Sequence, residues 1–111
     1  MFDKNIFERI VKKQYSVIGK HPYSIEEIFS IFEYYFYIYY QYIGKEHPYL
    51  KPEQIRRIIE IMPYCDDMDI EPIDYKTLIN SYFQTDFNSD RNINHFFSGD
   101  IRKMRMYENL L

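Results

Sequence analysis

The residue types that could do chemistry are few in this chain and widely separated. His21, His47 and His95 stand far apart, and the single cysteine, Cys65, has no nearby Cys or His. Zinc sites need such ligands at short, regular spacings, so no metal site is expected. The acidic run Cys65-Asp66-Asp67-Met68-Asp69-Ile70-Glu71 resembles the start of a calcium loop. With Asp67 in the first position, however, Pro72 falls sixth, where the turn requires glycine. That run therefore reads as a solvated acidic loop. Cys65 with the remote His95 has no local signature of a thiol nucleophile. Phosphate-loop, dinucleotide and kinase patterns are absent, and three glycines among 111 residues leave little material for a loop that cradles phosphate. The expectation is a non-enzyme with neither metal nor cofactor.

What remains are side chains suited to contact. Arg102 and Arg105 are three residues apart and share a helix face, with Lys103 beside them and Arg91 on the same side. This is a basic patch on a chain of net charge −3. It could serve an acidic protein surface or phosphates, or form solvated ion pairs with Asp90, Asp100 and Glu108. One short basic face supplies few phosphate contacts, so direct DNA binding is the weaker use. The second candidate surface is tyrosine: Tyr34, Tyr37 and Tyr40, a residue type enriched where proteins meet.

Helices must position these groups, since apolar residues recur at helical spacing almost throughout. A first helix spans Asp3 to Val17, capped by Asp3, with Ile6, Phe7, Ile10 and Val11 as its inner stripe. Ser24 to Glu27 reads S-x-x-E, a capping box in which serine and glutamate each satisfy an orphan N–H. Tyr23 and Ile28 fall at the staple positions around it. That second helix runs to Ile43 and closes at Gly44. A third covers Pro52 to Met62, and a fourth runs from near Pro72 to near Phe83, burying Ile73, Leu78, Ile79, Tyr82 and Phe83. Asp90 to Leu111 reads as two helices broken at Gly99, with Asp100 capping the last.

The second helix is apolar nearly all round, which marks burial in a core or in a membrane. Its 19 residues span about 28 Å, long enough for a bilayer. Glu26, Glu27, Glu33, Gln41 and six tyrosines between residues 34 and 42 argue against lipid. The fold expected is all-α: one domain over residues 1–111, a single compact bundle of five or six helices around this central aromatic-rich helix. A tyrosine-rich face left outside the core would be a contact surface.

Two interhelical turns echo one another. Ile18-Gly19-Lys20-His21-Pro22-Tyr23 recurs as Ile43-Gly44-Lys45-Glu46-His47-Pro48-Tyr49. In each, Gly ends one helix and Pro blocks its continuation. The chain has no alanine but 17 isoleucines, 13 tyrosines and 9 phenylalanines, which matches A/T-rich coding. The N-terminus lacks the pattern of a secretion signal, and one cysteine cannot pair internally, so a reducing cytoplasm is the expected compartment.

The segments Tyr82-Phe83-x-Thr85, Ile93-Asn94-His95-Phe96-Phe97-Ser98-Gly99-Asp100-Ile101-Arg102 and Arg105-x-Tyr107-Glu108 resemble small uncharacterised proteins of prophages and other mobile elements of low-GC Gram-positive bacteria. The resemblance implies a genomic setting inside a bacterial host and brings no mechanism with it. Small acidic helical phage proteins often occupy a surface on a host or phage protein complex. The expected role is therefore a binding protein that modulates or inhibits defence machinery, such as a CRISPR effector, or the replication apparatus. A nucleic-acid-binding regulator using the last helices is the alternative, and a homodimer built on the aromatic helix is a third.

Overall fold

Asp3 starts the first helix by accepting the N–H groups of Asn5 and Ile6 on Oδ1, at 2.9 and 3.1 Å. The computed structural model describes residues 3–65, 68–85 and 90–98 and, apart from Cys65 and Met68, their side chains. Among the described residues the α-helices are, in order, α1 (Lys4–Ile18), α2 (Ile25–Ile43), α3 (Pro52–Ile61), α4 (Asp74–Gln84) and α5 (Ile93–Phe96). Between α3 and α4 lies a minimal antiparallel pair, β1 (Tyr64–Cys65) and β2 (Met68–Asp69), with Tyr64 opposite Asp69 and Cys65 opposite Met68. The architecture is an all-α bundle, and α1 packs against α3 and α2 while α2 packs against α4.

The capping box at α2 is formed in full. Glu27 N–H donates to Ser24 Oγ at 3.1 Å, and Ser24 N–H donates to Glu27 Oε1 at 2.8 Å. Gly44 closes the helix in the left-handed region at φ 82°. Along α2, Ile28, Ile31, Phe32, Tyr35 and Tyr39 are buried at spacings of three and four, the periodicity of one helix face. They meet Phe7 and Val11 of α1, Ile55, Ile58 and Ile59 of α3, and Leu78, Ile79, Tyr82 and Phe83 of α4 in one core, completed by Ile93, Phe96 and Phe97. Rings dominate it: Phe7 stands edge-on to Phe32 at 5.2 Å between centroids, and Phe96 stands 5.2 Å from Tyr82 and 5.5 Å from Tyr35. Such pairs contribute about 0.5–1.5 kcal/mol beyond their area.

Several expectations need correction. The acidic loop after α3 holds the β1–β2 pair, which two-residue strands give no period to announce. Ile73 is not in the core: it is 79% exposed. Helix α4 begins one residue later, where Asp74 Oδ2 accepts the N–H of Glu71 at 3.0 Å, so Ile73 lies in the turn before the helix. Ile6 is also exposed, one position out of phase with Phe7 and Val11. The expected break at Gly99, the cap Asp100 and the last helix lie outside the described residues, as do Arg102, Lys103 and Arg105.

Candidate partner-binding surface

Because α2 turns one face into the core, the same periodicity pushes another outward. Tyr37 and Tyr40, three residues apart, are 60% and 53% exposed. Tyr42 and Tyr49 add 55% and 67% exposed rings at the C-terminal end of the helix and in the following turn. The Tyr42 ring rests 5.5 Å from that of Phe83. Tyr34, the third tyrosine singled out in the sequence, does something else. Half-buried, it donates its hydroxyl to Asn80 Oδ1 at 2.6 Å, with Lys76 Nζ 5.6 Å from its ring centroid. It bridges α2 to α4 and forms part of a groove between them. The structure thus leaves Tyr37 and Tyr40 open and engages Tyr34 internally.

Arg91 is likewise engaged. It adopts φ 61°, donates Nη2 to the Thr85 carbonyl at 2.6 Å and holds its guanidinium 5.3 Å from the Tyr82 centroid. Its own carbonyl accepts the Tyr35 hydroxyl at 2.6 Å. Burial, then the neighbouring Tyr82, pushes that phenol well above its ordinary range, while Arg91 pulls it back in part. Tyr35 is a neutral structural donor.

His21 and His47 are structural as well, and their tautomers follow from their partners. His21 Nδ1 accepts the Tyr23 N–H at 3.0 Å, so Nε2 carries the proton and donates to the Ile59 carbonyl at 2.7 Å. His47, only 4% exposed, uses the opposite tautomer. Its Nδ1 donates to the Pro48 carbonyl at 2.8 Å and its Nε2 accepts the Ile93 N–H at 2.8 Å. The two echoed turns therefore each use their histidine to tie the turn to a distant element, α3 in one case and α5 in the other. Burial lowers the His47 pKa, opposed by the Pro48 hydrogen bond and the charge of Asp90. Among the described residues no group of three or more His, Cys, Asp or Glu is arranged to hold a metal ion. The Cys65 side chain lies outside those described.

One charged surface escaped the sequence reading. Arg9, Lys12 and Lys13 are exposed on the side of α1 opposite Phe7 and Val11, a placement that the 3.6-residue period alone would have given. Among the described residues no helix is long and apolar enough to cross a membrane. Comparison of the chain with protein families, curated proteins and solved structures finds no match.

Proposed function

We propose that this all-α bundle is a non-catalytic binding protein that modulates or inhibits a macromolecular partner, with the outer face of α2 as its contact surface. Its setting, from the resemblance of the C-terminal segment, is a phage or mobile element in a bacterial host. The partner is then a host or phage protein complex such as a defence effector or the replication apparatus. The observation that carries this reading is the exposure of Tyr37 and Tyr40 on the outer face of α2. Tyrosine offers a large contact area with few torsions to immobilise, and truncating a central one commonly costs 1–2 kcal/mol or more of binding.

The test is quantitative affinity capture from a lysate of a low-GC Gram-positive bacterium, comparing the native chain with Tyr37→Ser/Tyr40→Ser. Both side chains are exposed, so the variant should keep its helical circular dichroism. The expected result is a protein complex retained by the native chain and depleted at least ~10-fold by the variant. Identical sets of retained proteins would overturn the assignment of this face. Retention of nucleic acid alone, lost with rising salt, would favour the nucleic-acid alternative instead.

A further inference from the structure

Two surfaces of this molecule complement each other. The first is the groove between α2 and the start of α4, about 430 Å³, floored by Ile31, Tyr75 and Ile79 and walled by Tyr34, Pro72 and the exposed Ile73. Past Glu27 and Pro72 it continues into a second hollow of about 340 Å³, edged by Tyr64, Asp69 and Glu71. Glu27, Asp69 and Glu71 are exposed and make no ion pair with a described residue. One end of the groove is mainly apolar, with Lys76 on its α4 side, and the other is anionic.

The second surface is the outer side of α1. Ile6, Arg9, Lys13 and Val17 follow one another at i, i+3, i+7 and i+11 and are all exposed. Arg9 and Lys13 make no ion pair with a described residue either. Residues 4–20 carry five cations and one anion, whereas the described residues 69–74 carry three acids and no cation. A chain of net charge −3 repels its copies at long range, so these opposed patches are where self-contact becomes favourable.

We propose that the apolar, acid-edged groove between α2 and α4 receives the cationic outer face of α1 from a second copy of this chain, reciprocally, in a closed two-fold pair. Val17, at one end of the stripe, supplies an apolar side chain for the Ile31–Ile73–Ile79 end. Arg9 and Lys13 supply charge for Glu27, Asp69 and Glu71. A reciprocal exchange satisfies the groove and the helix of both copies and stops at the pair, whereas one-way insertion would continue into a larger ring or a filament. The pairing uses a surface separate from Tyr37 and Tyr40 and stands independently of the function proposed above.

Sedimentation of the full chain tests it, from about 10 µM to about 1 mM and at about 50 and 500 mM salt, a range suited to a small, screened interface. The average mass should rise with concentration from the 13.8 kDa chain toward twice that value. The dissociation constant should rise at least ~5-fold at the higher salt. Arg9→Glu/Lys13→Glu and Asp69→Lys/Glu71→Lys should each weaken association at least ~10-fold, and their equimolar mixture should restore it, because both exchanged contacts are then again opposite in charge. All four positions are exposed, so circular dichroism should report unchanged helicity. A monomer at every concentration overturns the pairing. So do variants that associate like the native chain, a mixture that fails to reassociate, or masses growing past the dimer.

Discussion

Lowering the pH through the histidine range should loosen α5 through one residue, His47. Its ring is enclosed by Tyr39, Phe36 and Tyr35, with centroids at 4.8, 5.1 and 6.1 Å. Its Nε2 is the acceptor for the first N–H of α5, that of Ile93. Protonating Nε2 turns that acceptor into a donor facing another donor, which removes a bond worth about 1 kcal/mol and leaves a cation among aromatic rings. Burial accordingly lowers the folded-state pKa below the ordinary 6.5. The unfolded chain then binds more protons than the native one as pH falls below 6.5. Stability is fully present above that value and declines below it, by up to about 1.4 kcal/mol per pH unit until the folded-state pKa is passed. For a domain of this size, 1 kcal/mol corresponds to about 4–5 °C in Tm. Urea unfolding between pH 7.5 and 5 should show this slope in the native chain and lose it in His47→Gln. Hydrogen exchange adds a local readout, since the Ile93 amide should lose protection before the amides of α2. An unchanged slope in His47→Gln, or a folded His47 that titrates at or above 6.5, would refute the reasoning.

Three further outcomes check the frame that presents the tyrosines. Ser24→Ala removes the acceptor of the Glu27 N–H, and should cost about 1 kcal/mol in urea unfolding. Gly44→Ala meets no atom within 4 Å of the added Cβ, so its cost should be only the left-handed backbone penalty of about 1–2 kcal/mol by the same assay. Phe96→Ala empties a site in contact with Tyr35, Tyr82 and Phe97, and should cost about 3–5 kcal/mol and release α5 first in hydrogen exchange.

What could be read from the sequence was whatever depends on neighbours three or four residues away. Both ends of α2 are of that kind, because Ser24, Glu27 and Gly44 act within one turn, as does the Asp3 cap of α1. The inner face of α2 was harder to see, because Ile25 to Ile43 offer apolar side chains in every direction. Packing against α1 and α4 selects the Ile28–Phe32–Tyr35–Tyr39 side and leaves Tyr37 and Tyr40 outside. The β1–β2 pair is too short to show alternation. Pro72 also suits a first helical turn, which would draw Ile73 inward, whereas Asp74 begins the helix and leaves Ile73 outside. The link from His47 to Ile93 spans 46 residues, and no local spacing encodes such a link. The groove, too, exists only once α2 and α4 lie side by side.

The distribution of tyrosine hydroxyls explains why so many rings can be buried at little polar cost, and it separates structural tyrosines from those left for contact. Tyr15 donates to the Tyr23 carbonyl at 2.8 Å, Tyr35 to that of Arg91 at 2.6 Å and Tyr75 to that of Met62 at 2.5 Å. Tyr23 reaches the carbonyls of Met62 and Ile70. Each of these four tyrosines donates to a backbone oxygen in a turn, at a helix end or beside the short strands, where no ladder would satisfy it, whereas Tyr34 donates to the Asn80 side chain. Tyrosine here replaces the capping that a chain with three glycines provides sparingly. Tyr37, Tyr40 and Tyr49 make no hydrogen bond to a described residue and lie largely in solvent. Replacing them with serine should cost the fold little, so an effect of such variants on partner capture would be an effect on recognition.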